Sequence, residues 1–545
     1  VKVSDTVYLA FTDSARRWPD HPFLCVVPET ADSYGIEAGE LSYSQAQARI
    51  ERLKDGYRAS GYGHGHRIGL LLENRPDFIL HWFALNALGV SVVPINAELR
   101  AAELEYLIGH SEILLAISLP ERHAGLAQAA SRAGRPLALM GPGDAPPAAI
   151  AEAPFDQAGI GAATECALLY TSGTTGRPKG CMLPNEYFLQ AGRWYRDIGG
   201  LAQLHAGHER MLTPLPLVHM NAMAYSLMAM VCTGGCLIAI DRFHPRTWWD
   251  TVRTCRATVI HYLGVMPAIL MKAPPSPDDT SHQVRFGFGA GIERSLHAPF
   301  ETRFGFPLLE AWAMTETGAG AVIIANREPR HIGSSCFGKA EAEVQVRLVN
   351  DDGQDAGIDE NGELLVRHAG DRPRFGFFAG YLKDDAATQE AWKDGWFHTG
   401  DIVRRDAEGY LRFVDRKKNV IRRSGENIAA VEVESVLLQH PAIKTVAVAA
   451  VPDEVRGDEV LACIVCHDPP APTAVAPLAR EIVAWALTQL AYYKVPGYVA
   501  FLDSLPLTAT NKIQRGELKT LAAGLPGSAR CTDTRAMKKR QEPVT

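Results

Sequence analysis

Short apolar runs alternate with stretches of helical spacing over most of the chain. RIGLLLEN followed by ALNALGVSVVPIN reads as strand, helix, strand, and LLAISL, PLALM, CALLYTSG, CLIAIDRF and ATVIHYLG read as further short buried strands. RPDFILHWFALNALG has the spacing of a helix lying between two of them. Strands alternating with helices predict an α/β fold with largely parallel sheets. After about residue 340 the pattern changes. VQVRLVNDDGQDAGIDENGELLVRHAG and DIVRRDAEGYLRFVDR carry alternating strands joined by Asp-Gly-like turns, the pattern of antiparallel hairpins. From about Lys418 the chain reads as a small α+β unit, with VEVESVLLQHP and LAREIVAWALTQLA helical and KTVAVAAVP and VLACIVCH extended. A loose tail is expected over about 524–545.

One run tests whether any part spans a membrane. From Met211 to Ile240 there is no Asp, Glu, Lys or Arg, and a membrane helix needs only about 20 apolar residues. Pro214, Pro216, His219, Asn221, Gly234 and Gly235 punctuate the run. A loop, a buried helix near 220–231 and a buried strand at 236–240 suit it better, so no membrane span is expected.

Composition narrows the class. The 545 residues carry 55 basic and 62 acidic side chains, a net charge of −7, with 47% hydrophobic and 21% charged residues. That is globular composition, too long for one core, so at least two domains are expected. A mildly acidic chain gains no bulk attraction to nucleic-acid phosphates, and no nucleic-acid partner is expected. Ten scattered cysteines form no disulfide framework, and Cys463 and Cys466 read as buried thiols of one strand. With neither end carrying a signal or targeting pattern, the expected compartment is the cytoplasm.

The densest chemistry lies at 166–180, CALLYTSGTTGRPKG, where an apolar strand runs into a loop of glycines and hydroxyls with one Arg and one Lys. Glycines let backbone N–H groups wrap an anion, and hydroxyls add donors. Lys179 is followed by Gly180, so the loop is not the Walker pattern.

This segment resembles the signature of the AMP-forming adenylating enzymes, which include acyl- and aryl-CoA synthetases, nonribosomal adenylation domains and luciferase. PLPLVHMNA, FGAGIE, AWAMTET, WFHTGDI, DRKKNVIRRSGENI and PLTATNKIQRGELK follow in order down the chain and also resemble that family's motifs. The resemblance implies two mostly parallel sheet subdomains and a small β-barrel-like part (about 340–415) within residues 1–417. A small mobile α+β cap at 418–545 follows, with its hinge at Lys418. It implies an acid–CoA ligase that first makes acyl-AMP and pyrophosphate from ATP, then transfers the acyl group to the CoA thiol.

The site residues follow from the same likeness. Thr171, Ser172, Gly173, Thr174, Thr175, Gly176 and Lys179 are expected on the departing phosphates, Thr315 on the α-phosphate, and Glu316 on Mg²⁺. Gly289, Ala290, Gly291 and Trp312 are expected around the adenine, and Asp401 with Arg416 at the ribose. Lys512 is expected to bridge the substrate carboxylate and the α-phosphate, with His219 also catalytic. Ser424, Gly425 and Glu426 are expected to line the CoA tunnel, with Arg422 and Arg423 near CoA phosphates.

The acyl pocket is expected at His219, Met220, Asn221, Tyr225, Gly264, Val265, Met314 and the 289–291 segment. Amino-acid-activating members carry an Asp after the position of His219, and the uncharged run has none, which disfavours α-amino acids. Arg285 leaves dicarboxylic acids open, and Trp194, Tyr195 and Tyr225 leave a trimethylammonium acid open. The motif texture is nearest to medium- and long-chain acyl-CoA and crotonobetaine/carnitine-CoA ligases, implying fatty acid metabolism. Two departures stand out: Trp312–Ala313 replaces the family's Tyr-Gly, and Asn511 replaces the Gly before the lysine. Delivery to a carrier protein, a non-catalytic adenylate sensor and a homodimer remain open.

Overall fold

The computed structural model describes residues 5–171, 177–350, 353–416, 420–506, 513 and 515–539. Within that range the fold is α/β, with two large mixed sheets, an antiparallel sheet and a C-terminal α+β unit.

The first large sheet is ordered by its apolar runs. Arg67–Leu71 lies between Ser91–Pro94 and Leu115–Ser118, all parallel, with Ala138–Met140 beyond. These strands are buried on both faces, which is why they read as continuous apolar runs rather than alternating ones. On the other side Glu165–Thr171 joins in parallel and then pairs antiparallel with Lys179–Pro184.

The second sheet has eight strands. Its parallel centre runs Leu308–Trp312, Phe286–Ala290, Val259–Leu263, Arg210–Thr213, Cys236–Ala239 and Pro22–Val26. The uncharged 211–240 run folds here as strand Arg210–Thr213, a wide helical turn at Asn221–Ser226 leading into helix Leu227–Thr233, and strand Cys236–Ala239. Among the described residues no helix is long and apolar enough to cross a membrane.

The hairpins expected after residue 340 are present. Val344–Val349, Asn361–His368, Trp396–Arg405 and Leu411–Arg416 pair antiparallel in that order, with Cys336–Gly338 at the edge. The hydrophobic clusters of the C-terminal unit draw their buried residues from 421 onward, separate from the core of the preceding body. We refer to this unit as the cap.

The expected loose tail is corrected over the described part. Cys531–Asp533 pairs antiparallel with Tyr498–Phe501, and Lys538 is buried against Glu459. The polar sequence of the tail hid this, because Thr534, Arg535 and Lys538 hold it to remote partners, the Pro496 carbonyl, Asp453 and Glu459.

Candidate active site

Ligand sites in open α/β sheets lie outside the carboxyl ends of the strands. Here those ends converge from both large sheets: Thr171, the 215–221 segment, Leu263–Gly264, Ala290–Gly291 and 313–316 all border one cavity of about 1510 Å³. The cap borders it with Ser424, Gly425 and Glu426.

Backbone constraints shape this floor. A Cβ on Gly264 would stand 1.7 Å from the Gly291 carbonyl oxygen, so the two turns touch through their backbones. A Cβ on Gly289 would stand 2.2 Å from the Tyr262 carbonyl oxygen. Strand packing therefore already requires glycine at 289, whatever lies in the cavity. Gly291, at φ +78, has open space around its missing side chain. Two positioning residues were not singled out from the sequence. Glu310 accepts from the N–H groups of Gly291 and Ile292 at 3.2 and 2.9 Å and holds the turn. Asn74 donates to the Leu215 and Ile240 carbonyls and accepts from Leu217 N–H, fixing the segment that leads to His219. Their partners are remote in sequence, so no local pattern marks them.

Glu316 is buried and accepts a 2.9 Å hydrogen bond from the Tyr381 hydroxyl. Lys179 lies 4.8 Å over the Tyr381 ring and 3.8 Å from Asp384. Tyr381 thus joins the end of the glycine–hydroxyl loop to Glu316, a link that spacing did not reveal. Ser172 to Gly176, Lys418 and Lys512 lie outside the described residues, as does the side chain of Arg416.

Asp401 and Trp312 come together. The indole Nε1–H donates to Asp401 Oδ2 at 2.8 Å, and strand register sets Asp401 opposite Arg416. Asp401 is fully buried and Trp312 is 6% exposed, and neither is among the residues bordering the cavity. The indole N–H thus supports the carboxylate in this arrangement.

The acyl-pocket candidates His219, Met220, Asn221, Tyr225, Gly264, Val265 and Met314 all border the cavity. Phe288 adds an aromatic wall beside Tyr225, with ring centroids 5.8 Å apart, and Trp194 packs behind Tyr225 at 5.5 Å. Tyr195 is fully buried and bonded to His261, so it does not reach the cavity. Arg285 is also excluded. It donates to Glu209 and to the Gln203 carbonyl and does not border the cavity, which removes Arg285 as a partner for a second substrate carboxylate.

Cap and body meet across the cavity. His219 Nε2 lies 3.5 Å from Glu426 Oε2. Burial opposes the charge on each group, but their mutual attraction prevails: the imidazole is held above its ordinary range and the carboxyl below. Gly425, at φ +92, packs so closely on Leu263 that a Cβ would stand 2.2 Å from its Cδ1. Arg422 borders the cavity, while Arg423 is 2% exposed and bonded to Glu459, so Arg423 is not turned toward a phosphate.

A two-sheet body whose strand ends meet a cap across a glycine-rich cavity, with Thr171, Thr315 and Glu316 at its border, defines an adenylating acyl-CoA synthetase. The chain belongs to the AMP-binding enzyme family: the family pattern described as AMP-binding enzyme matches residues 11–382, and that of the AMP-binding enzyme C-terminal domain matches 432–512. It is similar to the feruloyl-CoA synthase of Amycolatopsis sp, at 32% identity over 92% of this chain and 98% of that protein. It is similar to the crotonobetaine/carnitine–CoA ligase of Shigella flexneri, at 28% over 90% and 95%. Among solved structures, o-succinylbenzoate CoA synthetase from Bacillus subtilis has the same fold, with a TM-score of 0.78 at 24% identity over 93% and 97%. A malonyl-CoA ligase with methylmalonyl-CoA and AMP bound superposes with a TM-score of 0.72 at 25% identity, over 89% and 97%.

Proposed function

We propose that the protein is an ATP-dependent acid–CoA ligase acting on an uncharged aryl acid. The acid and ATP give acyl-AMP and pyrophosphate. The CoA thiol then displaces AMP to give the thioester. The observation that carries this reading is the cavity itself, with acyl-type walls on the body and the 424–426 loop of the cap at its border.

Attack of a carboxylate on the α-phosphate brings two anions together, so the site must supply donors and cations. In this reading the loop from Thr171 to Lys179 binds the departing phosphates, Thr315 the α-phosphate, and Asp401 with Arg416 the ribose. Lys512 contacts both reacting anions. His219, whose charged form Glu426 favours, stabilises negative charge developing on the acyl oxygen. Mg²⁺ fits Glu316, since one hard carboxylate plus phosphate oxygens is a donor set that ion accepts. When bound it neutralises charge on the phosphates. The close fit of Gly425 on Leu263 supports assigning this arrangement to the thioester-forming step, with the cap rotating about Lys418 for adenylation.

The aryl assignment is supported by the Phe288–Tyr225 wall, the exclusion of Arg285, and the relatives named feruloyl-CoA synthase. A trimethylammonium acid is less well served, since Tyr195 is walled off.

Pyrophosphate release across aryl, fatty, dicarboxylic and betaine acids, with and without CoA, tests the reading. Release with aryl acids and a CoA thioester product is expected. No release with any acid overturns the ligase reading, and release without thioester points to a carrier. Lys512→Ala is expected to lose adenylation while retaining thioester formation from pre-made acyl-AMP; equal loss of both would overturn the rotation.

A further inference from the structure

Behind the acyl wall runs a fully buried polar relay with no place in the reaction as described. Tyr195 comes from helix Asn185–Asp197, His261 from strand Val259–Leu263, and Asn221 from the helical turn after the uncharged loop. The Tyr195 hydroxyl lies 3.1 Å from His261 Nε2. His261 Nδ1 lies 2.7 Å from Asn221 Oδ1 and 2.8 Å from Ser226 Oγ. Tyr195 and His261 are both at 0% exposure, whereas Asn221 borders the cavity.

Proton placement follows from satisfying each buried group. Burial holds the His261 pKa down at about 3, so the ring is neutral and carries one N–H. Burial holds the Tyr195 phenol well above its ordinary value, so it keeps its proton. Among the described residues that phenol has no acceptor other than His261 Nε2. An N–H at Nε2 would leave the buried phenolic proton without a partner, which costs more than any net hydrogen bond returns. The ring N–H is therefore at Nδ1, where it donates to Asn221 Oδ1 and is shared with Ser226 Oγ. Ser226 in turn donates to the Asn221 carbonyl at 3.4 Å.

With its oxygen committed to His261, the Asn221 amide has one end left. Its NH₂ group, a donor and never an acceptor, is the end left to the cavity that Asn221 borders. The surrounding wall is Phe288, Tyr225, Val265 and Met314. The Tyr225 hydroxyl donates to the Gly318 carbonyl at 3.0 Å, so its proton is already used.

We propose that Asn221 is the specificity-determining residue of the acyl chamber: it donates a hydrogen bond to an oxygen acceptor on the acyl group, and Tyr195 with His261 are positioning residues that set its donor end. The class of substrate is an aryl acid bearing a ring ether, carbonyl or phenolic oxygen. The inference rests on the ligase reading above and deepens it.

The test uses acids of matched shape that differ only in the acceptor: 3- or 4-methoxycinnamate against the corresponding methyl-bearing ethylcinnamate, assayed by pyrophosphate release and thioester formation. The full-length wild type is expected to favour the methoxy acid by about ten-fold in kcat/KM, the scale of one hydrogen bond. Asn221→Leu is expected to abolish that preference, and Asn221→Asp to reverse it, because a carboxylate repels the ether oxygen. Tyr195→Phe frees His261 to carry its proton on either nitrogen and is expected to shrink the preference. A merely structural role would lower both acids together and leave the ratio unchanged. An unchanged ratio in Asn221→Leu, at either ring position, overturns the proposal. Wild type that releases pyrophosphate from both acids without preference overturns it while leaving the ligase reading intact. Wild type inactive on every acid overturns both.

Discussion

The cap holds two buried three-membered charge clusters of opposite composition. In one, Lys494 lies 2.6 Å from Glu103 and 2.7 Å from Glu432, one cation between two carboxylates. In the other, Glu459 accepts from both Arg423, at 2.8 and 2.9 Å, and Lys538, one carboxylate between two cations. The two lysines are displaced in opposite directions. Burial disfavours charge on both, but two carboxylates raise the Lys494 pKa above its ordinary range. Lys538 shares its one carboxylate with Arg423, and burial with the Arg423 charge brings it down to about 7. Location differs as well. The Glu459 cluster lies wholly within the cap and ties strand Val420–Arg423 to strand Gly457–Cys466 and the tail. The Lys494 cluster crosses to helix Ala101–Ser111 of the body, where Glu103 also accepts from Ala491 N–H at 3.1 Å. The first kind of cluster lies within a domain; the second joins that domain to the body.

The largest effect is expected where the internal cluster loses its single anion. Glu459→Gln leaves the Arg423 charge unpaired in a low-dielectric core and is expected to destabilise the cap by about 3–5 kcal/mol. Hydrogen exchange over 443–466 reads this directly, with the body unaffected. Equal loosening of body and cap would break the distinction between the clusters.

Glu103→Gln is expected to leave the cap folded and to shift its position. Thioester formation from pre-made acyl-AMP should fall by about ten-fold, the value of a charge-assisted hydrogen bond, while pyrophosphate release is unchanged or raised. Parallel loss of both half-reactions would mean that the cluster serves stability alone.

Lys538→Met is expected to have the smallest effect, neutral or stabilising by about 1 kcal/mol, because Arg423 still pairs Glu459. Its signature is in pH dependence. The folded chain releases the Lys538 proton near pH 7, whereas the unfolded chain holds it to about 10.5. The unfolded state therefore binds more protons between those values, and stability rises with pH across that window. Thermal unfolding from pH 7 to 10 should show this slope in the wild type and a flatter one in Lys538→Met.

Legibility followed the range of the interactions. The strands and helices were readable because burial on two faces leaves a continuous apolar run, as at Ile68 to Leu71, and burial on one leaves alternation, as after residue 340. The cavity residues from His219 to Met314 were readable because small residues and hydroxyls stand in unbroken motifs at strand ends. Glu103, Asn74, Glu310, Tyr381 and His261 were not. Each acts through a partner on another element, and an isolated Glu or His carries no mark of that partner. The tail was not legible for the same reason, since Thr534, Arg535 and Lys538 carry no mark of the distant partners that anchor them.

The sequence by itself determined the class of chemistry, because the groups that grip phosphates and shape a floor must sit at fixed spacing on one loop or turn. It also determined that the run from Met211 to Ile240 brings no Asp, Glu, Lys or Arg to the acyl wall. Tertiary structure alone decided which charges are available. Glu103 and Ala491 are 388 residues apart yet share a hydrogen bond, Arg285 does not border the cavity, and Arg423 is buried. It alone decided which end of Asn221 is left to the cavity, because a proton's position in a buried relay depends on every group around it, and those groups meet only when the chain is folded.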